Sequence, residues 1–169
     1  MKVLSSLCAL GLGALLLGNI NANAQVRVFR GDSRYSGDVI CTLRDGKIYR
    51  KNSSYSGDIL VKIRDDGSGR IYKGNSTYSG DILLRVRNGK VYKGESAYSG
   101  DIIMNLRDDG SGRVYKGNSN YSGDILFKMR DRKIYRGESS YSGDILYRFD
   151  GDLTFPELVA VWYEVNYIY

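Results

Sequence analysis

Serine, tyrosine and aspartate recur together six times in this chain, in the motif Tyr-Ser-Gly-Asp. Hydroxyl groups beside a carboxylate can support nucleophilic chemistry only where a base and a stabilising group of other kinds converge on them. The sequence contains no histidine, which is the commonest general base and metal ligand. The six copies are also alike, whereas an active site needs one place where residues of different kinds come together. We therefore expect no enzymatic activity.

Two oxygen-rich segments, residues 65–69 and 108–112, share the sequence Asp-Asp-Gly-Ser-Gly. Their oxygens could contact Ca²⁺, yet the segments match neither the EF-hand loop nor the glycine-rich β-roll repeat. A polar hairpin tip that needs glycine for a positive φ accounts for them better. We predict no metal site and no cofactor, and Ca²⁺ binding by these two loops is left open.

Basic and aromatic side chains adjoin on the predicted outward face of the strands. Aromatic rings interleaved with cations suit sugars, anionic glycans, lipopolysaccharide or nucleic acid. The competing interpretation is a solvated sheet face, on which tyrosines and long basic side chains cover their cross-strand neighbours. The candidate ligand-binding residues on this face are Lys62, Arg64, Tyr72, Arg85, Arg87, Tyr92, Arg107, Tyr115, Lys128, Arg130 and Tyr135.

The spacing of the motif shows what kind of element carries it. The motif tyrosines are Tyr35, Tyr55, Tyr78, Tyr98, Tyr121 and Tyr141, with separations of 20, 23, 20, 23 and 20 residues. One short supersecondary unit is therefore used six times. We interpret the motif as a joint between strands. In it Gly80 should take a conformation that other residues resist, and Asp81 should cap loop amides before Ile82 enters the core.

Two strands are predicted in each unit. After each motif, segments such as ILVKIR (residues 59–64) are apolar at the first, third and fifth positions, which indicates one buried face. A shorter strand such as KIYRK (residues 47–51) precedes the next motif, and Asp-Gly or Asn-Gly between the two strands is typical of a hairpin. Twelve strands in an antiparallel meander follow. Cys41 occupies a middle inward position, so we interpret it as a core side chain rather than a nucleophile.

The six hairpins are predicted to close on themselves. One unit has too few inward apolar side chains to offset the entropy of ordering some twenty residues, so its neighbours must stabilise it. A closed array leaves no long edges, and the inner units carry no sign of a cap. The predicted fold class is all-β, with six two-stranded hairpin repeats in a closed radial, flower- or propeller-like antiparallel array plus one C-terminal helix. Twelve strands in three double units also fit a β-trefoil, which is the alternative.

Residues 25–152 are assigned to the repeats and residues 153–169 to a C-terminal amphipathic helix. Thr154 and Glu157 form the pattern of a capping box, and Pro156 falls in the permissive first turn. The following apolar residues have helical spacing: Leu158, Val159, Trp162, Val165 and Ile168. We expect this helix to pack on the ring and to plug one of its mouths.

Residues 1–24 are predicted to be a signal peptide. Lys2 precedes an apolar run at residues 7–18, and Ala22-Asn23-Ala24 offers a cleavage site before Gln25. The run is too short to span a bilayer, so we expect no transmembrane segment after cleavage. Cys41 is then the one remaining cysteine, which excludes an internal disulfide. The predicted location is periplasmic or extracellular.

These features together resemble the bacterial beta-flower proteins. The likeness lies in the signal peptide, the hairpin repeats of about twenty residues with glycine-rich turns, and the closing segment AVWYEVNYIY. It implies a small exported protein whose hairpin petals surround an axis, although six units are visible here where the family is named for four or five. A weaker likeness to MORN repeats rests on Tyr72-Lys73-Gly74 and lacks the later Gly-x-Gly of that repeat.

The sequence thus predicts an exported, non-enzymatic β-repeat protein that serves as an interaction module for envelope or extracellular glycans or other anionic polymers. The mature chain carries a small net positive charge, which suits an acidic partner. Nucleic acid is not expected as a partner outside the cytoplasm. A structural or self-associating envelope protein is the alternative, and a metal-dependent enzyme is a distant third. The oligomeric state is not determined by these patterns.

Overall fold

The computed structural model describes residues 25–64 and 66–168, so the predicted signal peptide lies outside the described residues. Twelve strands and one C-terminal helix make up this part of the chain. The strands are β1 (Val26–Arg30), β2 (Val39–Arg44), β3 (Lys47–Arg50), β4 (Ile59–Ile63), β5 (Arg70–Lys73), β6 (Ile82–Arg87), β7 (Lys90–Lys93), β8 (Ile102–Leu106), β9 (Arg113–Lys116), β10 (Ile125–Arg130), β11 (Lys133–Arg136) and β12 (Ile145–Phe149). The helix α1 (Phe155–Tyr163) continues into a π-helical turn, Glu164–Ile168.

Each strand pairs antiparallel with the next, and β1 pairs with β12, so that the twelve strands form one closed barrel. The predicted closed array of six hairpins with a C-terminal helix is confirmed. The strands hydrogen-bond continuously around the ring rather than forming separate blades. Because all twelve strands belong to one barrel, the β-trefoil alternative is wrong.

The two ends of the barrel are chemically different. Every odd-numbered strand leads into a Tyr-Ser-Gly-Asp connection and every even-numbered strand leads away from it. In an antiparallel barrel this places all six connections at one end, which we call the motif end. The five β-hairpin turns and the passage from β12 to α1 lie at the opposite end, the hairpin end. No helix in residues 25–64 or 66–168 is long and apolar enough to cross a bilayer.

The short hairpin turns have the predicted geometry. Asp45 and Gly46 both have positive φ values, 51° and 65°, as a type I′ turn requires. Asn88 and Gly89 repeat this pattern at 50° and 71°. Because both central residues are in the left-handed region, the twist of the turn matches that of the paired strands.

Each unit also contains a β-bulge, which the alternating pattern did not reveal. In the second unit Ile48 pairs with Val61 but Tyr49 pairs with Ile59, so Leu60 is the extra residue. Leu60 packs against the core beside Val61, whereas Ile59 is buried outside it, next to Tyr49. The expectation that the first apolar residue of each strand faces inward is therefore wrong. The bulge shifts that residue to the outer face, while the third position keeps its predicted inward place.

The helix fills the barrel rather than covering it. Five consecutive residues of α1, residues 158–162, are buried and belong to the core cluster with the inward residues of the strands. Successive helical residues are about 100° apart, so five of them surround the helix axis. A twelve-stranded barrel encloses more space than side chains alone fill, and α1 occupies that space. The helix plugs the barrel as expected, but residues 158–162 are buried on every side, so it lies inside the ring and not on it.

The plug enters from the hairpin end. The predicted capping box is confirmed, with the backbone N–H of Thr154 donating to Oε2 of Glu157 at 2.7 Å. The helix begins at Phe155 and not at residue 153, and its α-helical part ends at Tyr163. Trp162 stacks on Phe127 with 4.2 Å between ring centroids, deep in the lumen. The plug therefore runs toward the motif end.

Cys41 lies in this core, with 1% of its surface exposed. Burial raises the pKa of its thiol to about 12, so the reactive thiolate does not form near neutral pH. The interpretation of Cys41 as a core side chain is confirmed.

Candidate functional site

Six basic residues surround the mouth of the barrel at the motif end. They are the last residues of the odd-numbered strands: Arg30, Arg50, Lys73, Lys93, Lys116 and Arg136, called here the basic ring. Each pairs across the sheet with an inward-facing residue, as Lys73 does with Val61 and Arg136 with Phe127. All six are exposed. All six occupy strand positions whose side chains point inward, and all six end their strands at the motif end. Closure of the barrel therefore places them around one opening.

Five residues of the basic ring stand outside the ion pairs of the described residues. Those ion pairs involve basic residues of the outer face and the hairpin end, such as Arg27 with Asp150 and Arg132 with Asp152. No ion pair within residues 25–64 or 66–168 involves Arg30, Lys73, Lys93, Lys116 or Arg136. Several neighbouring cations without an ion-pair partner favour an anion at this mouth.

A second set of six residues lies at the same end of the barrel. The six motif tyrosines, called here the tyrosine ring, are 78–80% exposed. Each stands immediately before a 3-10 turn formed by Ser-Gly-Asp, as Tyr78 stands before Ser79–Asp81. The aromatic ring is therefore exposed to solvent in all six copies, which is typical of interaction surfaces.

The backbone under each tyrosine is held by local hydrogen bonds. In the third copy the hydroxyl of Ser76 donates to Oδ2 of Asp81, and its oxygen accepts the N–H of Tyr78 at 3.1 Å. The N–H of Asp81 donates to the carbonyl of Tyr78 at 3.0 Å. The same three bonds recur in all six copies. The tyrosines are thus presented on a fixed frame.

Two expectations about the motif need correction. Gly80 does not have a positive φ, and a Cβ on it would meet nothing within 4 Å, so the backbone there does not require glycine. Asp81 was expected to accept a loop amide, but its Oδ2 accepts a hydrogen bond from the hydroxyl of Ser76. The loop amide, the N–H of Tyr78, donates to the oxygen of Ser76 instead. The residue that does need a positive φ is Gly74, at the end of β5.

The candidate tyrosines of the outer face are placed differently from the prediction. Tyr72, Tyr115 and Tyr135 are only 2–5% exposed. The guanidinium of Arg64 donates to the hydroxyl of Tyr72 at 3.3 Å, and that of Arg107 donates to the hydroxyl of Tyr115. The guanidinium of Arg130 lies over the ring of Tyr135, 5.5 Å from its centroid. Because the rings are buried, these tyrosines are not presented for stacking against a ligand.

The basic residues of the outer face are partly neutralised. Arg64, Arg107 and Arg130 form ion pairs with Asp66, Asp109 and Asp131 at 2.7, 3.1 and 3.3 Å. Lys62, Arg85 and Lys128 lie opposite Lys47, Arg70 and Arg113, and Glu95 and Glu138 pair with the last two. Arg85, Arg87 and the half-buried Tyr92 line a pocket of about 120 Å³. The structure therefore brings three of the predicted residues together at one shallow pocket and spreads the others around the barrel.

The acidic hairpin loops are held by their own neighbours. Asp66 accepts the N–H of Ser68 at 2.9 Å and pairs with Arg64, and Asp109 does the same with Ser111 and Arg107. In the described ranges no group of three or more Asp, Glu, His or Cys side chains is arranged to hold a metal ion.

Glu164 lies where the plug reaches the motif end. It is 1% exposed, and neither carboxylate oxygen has a hydrogen-bond partner among the described residues. Burial raises the pKa of Glu164 above its ordinary value, and the positive charge of Arg50 in the basic ring opposes that rise. A carboxylate without hydrogen bonds in this position destabilises the fold when it is charged.

We expect Glu164→Gln to stabilise the protein at neutral pH by about 1–3 kcal/mol, because it removes a buried charge and keeps a side chain of the same size. The folded protein binds the Glu164 proton more tightly than the unfolded chain, so wild-type stability from this group is lost as pH rises through the raised pKa. The gain should therefore be larger at pH 7.5 than at pH 5. Urea unfolding of both proteins at the two pH values measures it, and an equal gain at both would contradict the assignment.

The sequence also carries a signal for the basic ring. The residue after each short-strand tyrosine or phenylalanine is Lys or Arg in all six units, as in Tyr72-Lys73. Since a meander of paired strands puts all six of these residues at one end, the basic ring follows once closure is assumed. The sequence pattern presents the motif tyrosines as part of a joint between strands. Only the folded chain shows that their side chains are exposed.

A comparison with family models finds one match, to a family described as 6-fold beta flower protein, over residues 28–162. The match covers the barrel and most of α1. No curated protein and no solved structure matches the chain.

Proposed function

The chain belongs to the 6-fold beta flower protein family, and from this premise we propose that it is a non-enzymatic binding module for anionic polymers of the cell envelope or the extracellular space. The proposed site is the mouth at the motif end. The location outside the cytoplasm rests on the predicted signal peptide, residues 1–24.

The observation that carries the proposal is the basic ring. Six cations of one register surround one opening, and Arg30, Lys73, Lys93, Lys116 and Arg136 take part in none of the ion pairs of the described residues. A polymer with regularly repeated negative charges contacts several of these cations at once, and each added contact raises the effective concentration for the next. A polymer is therefore the partner that the ring fits best.

The outer face is the second candidate position for the same activity. The pocket between Arg85, Arg87 and Tyr92 supports it, since it joins two cations to a partly exposed ring. Elsewhere on this face Arg64, Arg107 and Arg130 are paired with aspartates and the tyrosines are buried, so we place it after the mouth.

The two positions can be separated with variants of equal charge. The mouth variant carries Lys73→Gln, Lys93→Gln and Lys116→Gln, and the outer variant carries Lys62→Gln, Arg85→Gln and Lys128→Gln. We expect the mouth variant to bind linear polyphosphate and polygalacturonate about tenfold or more weakly at low salt, with the outer variant close to wild type. The slope of log affinity against log salt should fall by about two to three for the mouth variant only, because about one counterion is released per neutralised charge.

Other outcomes decide differently. Loss of affinity in the outer variant alone would move the site to the outer face. Absence of binding by wild-type protein to both polymers at low salt would contradict the proposed function. Concentration-dependent assembly without any polymer, measured by sedimentation, would favour the alternative of a structural or self-associating protein.

A further inference from the structure

The tyrosine ring is more uniform than the fold requires. The exposed position directly before each motif tyrosine varies freely: its residues are Arg34, Ser54, Thr77, Ala97, Asn120 and Ser140. The tyrosine itself is the same in all six copies, although about four fifths of each side chain lies in solvent. No side-chain hydrogen bond or ring contact in residues 25–64 and 66–168 involves any of these six rings. Packing and hydrogen bonding therefore do not explain why each copy has tyrosine here.

The glycine two residues later is equally unexplained by the fold. Like Gly80, the other motif glycines have no positive φ and no atom within 4 Å of the place a Cβ would occupy. They are Gly37, Gly57, Gly100, Gly123 and Gly143. The absence of a side chain leaves open surface close to each exposed ring.

A hydrogen-bond acceptor adjoins each of these surfaces. One carboxylate oxygen of Asp81 accepts the hydroxyl of Ser76, and the other accepts no hydrogen bond from any described residue. The same holds for the aspartates of the other five copies. Each unit thus offers a flat aromatic face, open surface and a free carboxylate oxygen.

That combination fits a sugar ring. The C–H face of a pyranose packs on the electron-rich face of a tyrosine, and its hydroxyls donate to a carboxylate. Nucleic-acid bases also stack on tyrosine, but a sugar brings several hydroxyl donors to the carboxylate of each unit, which favours a polysaccharide on this rim. Two strands separate successive tyrosines, a spacing of about 10 Å and close to the length of a disaccharide.

We infer that the ligand of the mouth is an acidic polysaccharide, whose sugar rings stack on the tyrosine ring while its acidic groups contact the basic ring. The inference rests on the proposed function for the acidic groups and adds the sugar contacts to it. Six equivalent positions on one rim suit a polymer with a regular repeat.

The test replaces three alternate tyrosines, with Tyr35→Ser, Tyr78→Ser and Tyr121→Ser in one variant and the same three positions changed to Phe in another. The probes are polygalacturonate, linear polyphosphate and single-stranded poly(dT). We expect the Ser variant to lose about tenfold or more in affinity for polygalacturonate and to keep its affinity for polyphosphate, because only the sugar polymer uses the rings. The Phe variant should stay near wild type for both. Thr77→Ser and Asn120→Ser, at the exposed positions directly before two of these tyrosines, together form the control for a change in the same loops.

Unchanged unfolding midpoints in urea would show that the variants are folded, as expected for side chains that pack against nothing. If the Ser variant binds polygalacturonate as tightly as wild type while polyphosphate still binds, the sugar contacts are wrong and the proposed function stands. If poly(dT) binds more tightly than polygalacturonate and loses affinity in the Ser variant, the rings serve bases instead. If wild-type protein binds neither acidic polymer, both proposals fall.

Discussion

Val159→Asp is expected to remove most of the stability of the protein. Val159 lies in the middle of α1 and has no exposed surface. An unpaired buried carboxylate costs several kcal/mol, which is comparable to the total stability of about 5–15 kcal/mol typical of a domain. The barrel cannot shed the helix without exposing its inward apolar residues, so the loss should affect the whole fold rather than one end.

The single tryptophan of the chain, Trp162, reports directly on this change. It is buried beside Phe127, so its fluorescence emission should be blue-shifted in wild type. In Val159→Asp the emission should be red-shifted even without urea. Val159→Ala should lose about 2 kcal/mol in urea unfolding, as expected for two buried carbon atoms. Tyr167→Asp, which lies beyond α1 and is 62% exposed, should stay near wild type. If Val159→Asp were as stable as the wild-type protein, α1 would not fill the lumen.

Gly69→Ala should be the second most damaging change, at a position on the surface. Gly69 has a φ of 65°, and a Cβ there would lie under 3.0 Å from the backbone carbonyl of Val86, which cannot move without breaking the sheet. Left-handed backbone costs a residue with a Cβ about 1–2 kcal/mol, and forced overlap in a packed region adds about 1–3 kcal/mol. We expect a total loss of about 3–4 kcal/mol by urea unfolding.

Gly67 provides a control in the same loop. It also has a positive φ, 70°, but a Cβ there would meet nothing within 4 Å, so Gly67→Ala should lose only about 1–2 kcal/mol. The second long hairpin repeats the comparison, with Gly112 against Met129 and Gly110 in open space. Equal losses for the two members of a pair would show that the close approach of Gly69 to Val86 does not exist. Gly80→Ala should be neutral, because neither constraint applies to it.

Local patterns predicted the elements well because each depends on neighbours in the sequence. Asp45-Gly46 predicted its turn, since few dipeptides accept two positive φ values in succession. Thr154 and Glu157 predicted the start of α1, since a capping box is complete within four residues. The sixfold repetition then favoured closure, because identical units that stack on one another leave no natural end.

The same patterns failed where the answer depended on residues far apart. Ile59 and Leu60 are both apolar, so the alternation could not show which of them faces the core, and only pairing with β3 placed the bulge. The segment after Thr154 has the spacing of an amphipathic helix, yet the lumen of twelve strands covers every side of it. Tyr72 is polar enough to face water, but it is buried and its hydroxyl accepts a hydrogen bond from Arg64.

The sequence by itself determined that this chain forms six hairpins with fixed turns, a buried face and a capped C-terminal helix. These features follow from backbone preferences and from the alternation of apolar residues, both of which act over a few residues. The tertiary structure decided that the helix is enclosed and that the exposed tyrosines and strand-final cations share one rim. That outcome depends on closure of β1 on β12, which joins residues more than a hundred positions apart and has no signature in any single unit.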